Sequence, residues 1–292
     1  MILIGENIHI ISKSVREALE NRDEVFIGHL IEAQAGMDYI DFNVGPARGE
    51  LEGVMEWLCK LTDKKISFDT TNENEIRRGL ATVKNPSECI INSTKMLDLA
   101  AEYGCGLIVL TMDNGIPKTA DERLEIAFEI YEKINNPENL FFDPLVLPIS
   151  VDQQQAVEVL NAIRMLKASF DPPIKTVIGL SNISNGAPKE LRQLINRVFG
   201  ALAFGAGLDA AIIDAKDTEL VRIFKMLERG TPENETDEVY LHLSRHCEEA
   251  QSADAAISSI YEIASPAARN DALKTAEILL NKKIYSPSFT QI

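Results

Sequence analysis

The sequence has few basic residues, few cysteines and no long apolar run, and each shortage excludes a class of protein. Lysine and arginine number 29 against 45 aspartate and glutamate residues, a net charge of −16, which argues against binding a nucleic-acid backbone. No apolar run approaches the roughly 18 residues that a membrane-spanning helix needs. The first ten residues carry Glu6 and no basic cluster, so we expect no secretory signal.

Cysteine usage indicates a reducing compartment. The four cysteines are Cys59, Cys89, Cys105 and Cys247, and no two of them have the CxxC spacing of a zinc or redox motif. Buried thiols are therefore expected, without a disulfide framework, and the expected location is the cytoplasm.

Short strand-like runs alternate with amphipathic helical stretches along the chain. The predicted strands are Leu3–Ile8, Tyr39–Val44, Ile66–Thr70, Cys89–Thr94, Leu107–Met112, Leu140–Pro144, Thr176–Asn182 and Asp209–Asp214. The predicted helices are Val15–Ala35, Asn74–Val83, Asp121–Ile134, Gln154–Ala168 and Glu190–Phe204. Several strands are almost wholly apolar, as in parallel strands buried on both faces. Eight strand–helix units predict an α/β fold, a (β/α)8 TIM barrel; a doubly wound sheet is the alternative, but no GxGxxG follows any strand.

Each predicted strand ends in, or next to, an acid or an amide. These residues are Glu6 with Asn7, Asn43, Asp69, Asn92, Asp113, Asp143, Asn182 and Asp214. In a barrel the carboxyl ends of the strands meet at one rim, where active sites of this fold form. The alternative for Asn43, Asp113 and Asp214 is that each caps the helix that follows it.

The stretch 226–272 differs from the rest of the chain. Its 47 residues hold 10 acids and 3 bases, a net charge of −7. A polar loop, Glu228–Glu238, is followed by two helical patterns around Val239–Ala250 and Ala253–Ile263. We expect a helical insertion in the eighth βα unit, which serves either as a docking surface for a basic partner or as a barrel cover or dimer contact.

Five segments at successive strand ends carry a family resemblance. They are Asp41–Pro46 (DFNVGP), Phe68–Asn72 (FDTTN), Ile91–Thr94 (INST), Phe142–Leu145 (FDPL) and Gly179–Ser184 (GLSNIS). In this order they resemble the methyltetrahydrofolate:corrinoid protein methyltransferases, over Met1 to about Phe224 and again over Thr275–Phe289. The resemblance implies one pterin-binding barrel domain over 1–292, with 226–272 as its insertion.

The resemblance also implies roles for individual residues. Asp69, Asn92 and Asp143 would bind the pterin ring, whose amide and amino groups match a carboxylate and whose other ring atoms match an amide. Asn182 would approach N5, which carries the methyl group, and would be the catalytic residue. Further candidates at the rim are Glu6, Asn43, Asp113 and Arg192, the last aligned with a basic position near the folate site.

The implied reaction transfers a methyl group between N5 of tetrahydrofolate and cobalt by direct displacement. The corrinoid (cobalamin) belongs to a partner protein, so this chain needs tetrahydrofolate or methyltetrahydrofolate as substrate and no metal of its own. Relatives of this kind form homodimers. Both directions of transfer occur in the family. Asn7 and His9 differ from the residues that are common at these places of the first strand, and together with the insertion they favour a dedicated corrinoid protein, as in O-demethylation by anaerobes.

Three other interpretations stay open. Dihydropteroate synthase uses a related pterin cradle but needs basic residues for pyrophosphate, and the seventh strand lacks the Ser-x-Arg pattern of that family. A folate-binding subunit without activity would have no reason to keep Asn182. A zinc site at His242, His246, Cys247 and Glu249 has suitable spacing, although such a pattern is more typical of a solvated helix face.

Overall fold

Eight parallel strands close into a barrel in the computed structural model, which describes residues 1–93, 96–113, 115–134, 139–248 and 266–286. The strands are β1 (Ile2–His9), β2 (Tyr39–Asn43), β3 (Lys65–Asp69), β4 (Ile90–Asn92), β5 (Gly106–Leu110), β6 (Leu140–Asp143), β7 (Lys175–Gly179) and β8 (Ala210–Ile213). Neighbours in sequence pair in parallel, and β8 pairs with β1. The predicted TIM barrel is confirmed, and the doubly wound alternative is wrong because the sheet has no open edge.

Helices cover the outside of the barrel. They are α1 (Lys13–Glu20), α2 (Glu24–Ala33), α3 (Val54–Lys60), α4 (Glu73–Thr82), α5 (Leu97–Tyr103), α6 (Ala120–Tyr131), α7 (Gln154–Ser169), α8 (Lys189–Gly205), α9 (Thr218–Arg229), α10 (Glu235–Glu248) and α11 (Pro266–Leu279). The single helix predicted over Val15–Ala35 is two helices: Arg22 has a φ of 53°, and Asp23 caps α2 by accepting from the Phe26 N–H. No helix in the described ranges is long and apolar enough to cross a bilayer.

Alternation along the strands separates two apolar cores. Phe42, Phe68 and Phe142 point outward and are fully buried against the helices. Ile90, Phe141 and other side chains one residue out of phase fill the inside of the barrel. Because successive side chains of a strand face opposite sides, this assignment also decides which polar residues face the barrel axis.

The described part of 226–272 is packed against the barrel. Gly230, with a φ of 65°, ends α9, and α10 then lies against α8 so closely that a Cβ at Gly205 would meet the Ser244 carbonyl oxygen at 1.9 Å. Val239 and Leu243 are buried in this contact, and buried Asp237 accepts from Arg222 of α9. The predicted second helix, Ala253–Ile263, lies outside the described residues, so the insertion as a whole stays a prediction.

Candidate functional site

The inward-facing positions at the carboxyl ends of the strands form a polar ring, called here the mouth. In strand order these positions are Glu6, Asn43, Asp69, Asn92, Leu110, Asp143, Gly179 and Asp214. Asn43, Asp69 and Asn92 are direct partners in the register of β2, β3 and β4. Six of eight positions are acids or amides in a barrel whose lower interior is largely apolar, so this end is built to bind a polar ligand.

A β-bulge brings two polar residues of β1 to the mouth. The register with β2 shifts between Gly5 and Ile8, so that β1 holds one extra residue there. The Asn7 N–H, which lies within this irregular stretch, donates instead to the buried side chain of Gln34 at 3.1 Å. Gly5 is required, because a Cβ there would lie 2.4 Å from the Gln34 Oε1 atom. The bulge thus directs both Glu6 and Asn7 to the rim.

Asp69 and Asp143 are two half-buried carboxyl groups on one side of the mouth. The Asn43 side-chain amide donates to Asp69, while burial raises the pKa of Asp69 to about 6. Burial raises the pKa of Asp143 to about 7, against the opposing effects of the Leu145 N–H, which donates to it at 2.8 Å, and of nearby Arg123. A ligand that donates hydrogen bonds would stabilise the charged form of both carboxyl groups.

Arg123 holds the turn that follows Asp143, and it was not among the predicted site residues. Its fully buried guanidinium donates to the carbonyl oxygen of Pro144, at 2.5 Å, and to the side chain of Gln155, at 2.7 Å. Leu145 has a left-handed backbone with φ of 64°, an unfavourable conformation for this residue. Arg123 and the Asp143 carboxyl together stabilise this turn. In the sequence Arg123 is one arginine within a helical stretch, and periodicity alone does not distinguish a buried arginine from one at the surface.

Asn182 occupies the place that a side chain at the end of β7 would take. It lies in a 3-10 turn, Leu180–Ser184, directly after the strand. A Cβ at Gly179 would be only 2.9 Å from the Asn182 Nδ2 atom, so the glycine leaves room for the amide to fold back over the strand end. The Asn182 Oδ1 atom accepts from Asn185 at 3.2 Å.

The other side of the mouth opens into a cleft of about 520 Å³. This mouth cleft is lined by Glu6, Asn7, His9, Ser181, Asn182, Asp214 and residues of the β1–α1 and β7–α8 connections. The Ser181 hydroxyl donates to Glu6 at 2.7 Å, and the Asn7 amide bridges Asp214 and the Ala215 N–H. Burial raises the pKa of Glu6 to about 7 and lowers the pKa of His9.

One more acid lies beneath the mouth. Asp41 is fully buried inside the barrel and accepts from the Ser67 hydroxyl at 2.7 Å. Burial and the neighbouring Asp69 raise its pKa well above the usual range. Asp41 belongs to the DFNVGP segment but was not itself a predicted site residue, although it lies two residues before Asn43 and strand alternation places both on the same face.

Two predicted rim residues lie elsewhere. Asp113 is exposed in the loop after β5, beyond the strand end at Leu110, and lines a shallow surface with Ile116. Arg192 is exposed on α8, and its Nε donates to the Ala187 carbonyl at 2.9 Å. Neither lines the mouth cleft.

The capping alternative is wrong for Asn43, Asp113 and Asp214. The residue that precedes α3 is Gly53, and Thr119 and Asp217 cap α6 and α9. The predicted zinc alternative falls largely outside the described side chains; among those described, no cluster of three or more metal-ligating residues occurs.

Comparison with known proteins agrees with this geometry. Residues 34–214 match the pterin binding enzyme family, a span that holds β2 to β8 and all of the mouth except Glu6 and Asn7. A methylcorrinoid:tetrahydrofolate methyltransferase from Eubacterium limosum is 28% identical over 243 residues, which cover 76% of this chain and 88% of that protein. A methionine synthase from Mycobacterium tuberculosis is 32% identical over 189 residues, but these make up only 16% of its length.

Solved structures support the fold. Dihydropteroate synthase from Xanthomonas albilineans has a TM-score of 0.55 and 16% identity, with 78% of this chain and 93% of that chain covered. The enzyme from Coxiella burnetii also has a TM-score of 0.55, at 13% identity, covering 77% and 92%. At such identities the likeness concerns the barrel alone. The predicted family resemblance is confirmed, and the chain belongs to the pterin-binding enzymes.

Proposed function

We propose that this protein is a methyltransferase that moves a methyl group between N5 of tetrahydrofolate and the cobalt of a corrinoid carried by a partner protein. The observation that supports it most is the composition of the mouth. Carboxyl and amide groups at the ends of β3, β4 and β6 share the mouth with the amide of Asn182 after β7, an arrangement suited to a flat, hydrogen-bonding heterocycle with one reactive nitrogen.

Asp143 and Asp69 suit the donor edge of a pterin. Both carboxyl groups have raised pKa values because they are desolvated, and neither forms an ion pair within the described residues. A ring amide and an exocyclic amino group together offer a carboxylate two parallel hydrogen bonds. Such a ligand would stabilise the charged form in the way that water does in the unfolded chain. Asn92 adds a donor and an acceptor for the remaining ring atoms.

The same ring of residues argues against pyrophosphate chemistry. None of its eight positions, all within the described residues, is a lysine or an arginine. A leaving pyrophosphate needs several cationic donors, so the dihydropteroate synthase alternative has little support despite the shared fold. The similarity to a protein named as a methylcorrinoid:tetrahydrofolate methyltransferase favours methyl transfer.

Asn182 would act on the reacting nitrogen. When the methyl group leaves, N5 gains electron density and finally a proton, and an amide can accept from or donate to N5 as its state changes. A fixed carboxylate could only accept. The structure supports this role through Gly179, which allows the amide to lie over the strand end.

The direction and partner belong to the same proposal. The relative from Eubacterium limosum is named for transfer from a methylcorrinoid to tetrahydrofolate, and it covers most of this chain. We therefore propose tetrahydrofolate as the acceptor in the cell, a dedicated corrinoid protein as the partner, a homodimer as the assembly and the cytoplasm as the location. Reversibility allows the assay to run in the more convenient direction.

The test follows the absorbance of reduced cobalt(I) cobalamin mixed with methyltetrahydrofolate and the protein. We expect loss of the cobalt(I) band with the wild type and a decrease in rate of about 100-fold with Asn182→Ala, the size seen when a single stabilising donor is removed. Folate binding, measured by equilibrium dialysis, should be kept. Asn85→Ala, which removes a side chain at the opposite end of the barrel, is the matched control and should leave the rate unchanged.

Two results would contradict the proposal. A wild-type protein that binds no folate would exclude a pterin enzyme of this kind. A wild-type protein that binds methyltetrahydrofolate but transfers no methyl group, either to free cobalamin or to a purified corrinoid protein, would favour the non-catalytic folate-binding subunit.

A further inference from the structure

Glu6 is a half-buried carboxyl group in the mouth cleft for which pterin binding gives no role. Its Oε1 atom accepts from the Ser181 hydroxyl at 2.7 Å, and Ser181 is the residue before Asn182. All three side chains line the same cleft. We propose that Glu6 and Ser181 form the proton route of this site, in which Glu6 stores the proton that N5 gains or loses and Ser181 relays it.

This inference rests on the proposed methyl transfer and adds a source for the proton that this reaction needs. In the direction that removes the methyl group from methyltetrahydrofolate, the methyl carbon bonds to cobalt while its bond to N5 breaks. The electron pair of that bond stays on N5, and N5 takes a proton that Glu6 gives up through Ser181, so Glu6 becomes a carboxylate. In the opposite direction N5 bonds to the methyl carbon, and its proton passes to the Glu6 carboxylate.

Elimination among the acids of this region favours Glu6. The mouth cleft has two carboxyl groups, those of Glu6 and Asp214. Asp214 already accepts from the Asn7 amide and from the Lys216 N–H, and no hydroxyl group among the described residues of the mouth cleft donates to it. Asp41 is fully buried below the cleft and does not line it. Glu6 alone combines access to the cleft with a hydroxyl that can carry a proton onward.

The charges around Glu6 suit proton exchange near neutral pH. Asp214 faces it from the end of β8 and disfavours its negative charge, and Asp41, whose own pKa Glu6 helps to raise, lies near it on β2. His9 on β1 and Lys216 after β8 also line the cleft, and burial lowers the pKa of His9, so that His9 is a poor acid at pH 7. Desolvation is the main cause that raises the pKa of Glu6 to about 7, where it can both give and accept a proton.

The backbone fixes this geometry. The bulge after Gly5, held by Gln34, turns Glu6 into the mouth, and the Asn7 amide ties the same stretch to β8. Glu6 is therefore attached to a rigid strand, whereas Ser181 lies on the turn that also carries Asn182. A short hydrogen bond between two such elements is the kind of contact that aligns a relay.

The experiment measures single-turnover methyl transfer from methyltetrahydrofolate to cobalt(I) cobalamin between pH 5 and pH 9. For the wild type we expect the rate to fall as the pH rises through about 7, since Glu6 loses its proton. Glu6→Gln should lower the rate at pH 6 at least tenfold and remove this part of the pH profile, while the Kd for methyltetrahydrofolate changes less than threefold. Ser181→Ala should lower the rate by a smaller factor. The matched control is Glu190→Gln on the exposed surface of α8.

The outcomes separate the proton route from the proposed function. A Glu6→Gln variant with wild-type rate and pH profile overturns the proton route and leaves methyl transfer standing. A wild-type protein that transfers no methyl group, either to free cobalamin or to a purified corrinoid protein, overturns both. If Glu6→Gln does not fold, as judged by circular dichroism, Glu6→Asp keeps the carboxyl group: a pH profile displaced from that of the wild type supports the route, and an unchanged profile contradicts it.

Discussion

The two ends of the barrel differ in whether their charged residues form ion pairs. At the amino ends of the strands, lysines are paired with acids at 2.8 to 2.9 Å: Lys65 with Glu88, Lys84 with Asp63 and Lys167 with Asp209. A cleft of about 280 Å³ at this end is lined by two of these pairs, those of Lys65 and Lys84. The paired charges already have their counterions, so they have little left to offer a ligand.

At the mouth the acids lack such partners. Glu6, Asp69 and Asp143 form no ion pair with a lysine or arginine in the described part of the chain, and burial raises the pKa of each. Holding a desolvated carboxylate without a counterion lowers the stability of the folded state. The comparison teaches that the barrel has stabilising ion pairs at one end and acids without a counterion at the other, where a substrate can donate further hydrogen bonds to them.

The largest expected effect is on folate binding. Asp143→Ala removes the carboxylate that is best placed to accept two hydrogen bonds from the pterin, and hydrogen bonds to a charged group contribute about 1.5 to 3 kcal/mol each. We expect the Kd for methyltetrahydrofolate to rise about 100-fold or more in equilibrium dialysis. Asp209→Ala, which removes an acid at the amino end, should leave the Kd unchanged; an equal loss in both variants would mean that the two ends do not differ.

The stability of the folded protein should respond with opposite sign at the two ends. Asp143→Asn removes a carboxylate whose folded pKa, about 7, lies above its usual value of 3.8, so that its charge opposes folding at pH 8. A tenfold change in an acid dissociation constant corresponds to about 1.4 kcal/mol, and we expect a gain of roughly 2 kcal/mol, since water in the mouth reduces the full effect. The gain should disappear below about pH 4, where the carboxyl group is protonated in both the folded and the unfolded protein.

The matched variant at the amino end is Asp209→Asn. Asp209 binds Lys167 with both oxygens at 2.9 Å and accepts from the Thr176 N–H at 2.7 Å, so its charge favours folding. We expect the free energy of unfolding to fall by about 1 kcal/mol in urea denaturation at pH 8. If Asp143→Asn also lowered the free energy of unfolding, this would contradict the interpretation that the charges of the mouth acids destabilise the folded protein.

The sequence predicted the barrel well because its signals are local. Apolar strand runs and amphipathic helices recur along the chain, and all eight predicted strands overlap the observed ones. Polar residues at the strand ends led to Glu6, Asn43, Asp69, Asn92 and Asp143, which the fold brings to one rim. The break between α1 and α2 was missed, because a turn at Arg22 interrupts the helix without a glycine or proline.

Other parts of the site depend on three-dimensional relations that periodicity does not contain. Asp113 was assigned to the mouth because the end of β5 was extended by two residues beyond Leu110. Arg123, Ser181 and Gln34 were missed, since their roles come from contacts with residues distant in sequence. The bulge in β1 could not be foreseen, because it appears only in the register with β2.

A smaller effect should appear in the pH dependence of binding. A pterin that donates hydrogen bonds to Asp143 and Asp69 prefers their charged forms, so protons and ligand compete for them. With free pKa values of about 7 and about 6, we expect the Kd for methyltetrahydrofolate to rise about tenfold as the pH falls from 8 to 6. Calorimetry in two buffers should detect proton release on binding at pH 6.5. A Kd that does not change over this range would contradict the assignment of both acids.

The smallest expected effect tests the position of Asn182. Gly179→Ala adds a methyl group 2.9 Å from the Asn182 Nδ2 atom, so the amide must move away from the strand end. Since the pterin-binding acids lie on other strands, we expect methyl transfer to slow about fivefold while the Kd for methyltetrahydrofolate stays within twofold. Gly28→Ala in α2 is the matched control, because nothing lies within 4 Å of its added Cβ, and it should stabilise the helix by about 0.5 to 1 kcal/mol without changing the rate. A wild-type rate in Gly179→Ala would mean that the amide acts from another position, since the glycine is what allows Asn182 to lie over β7.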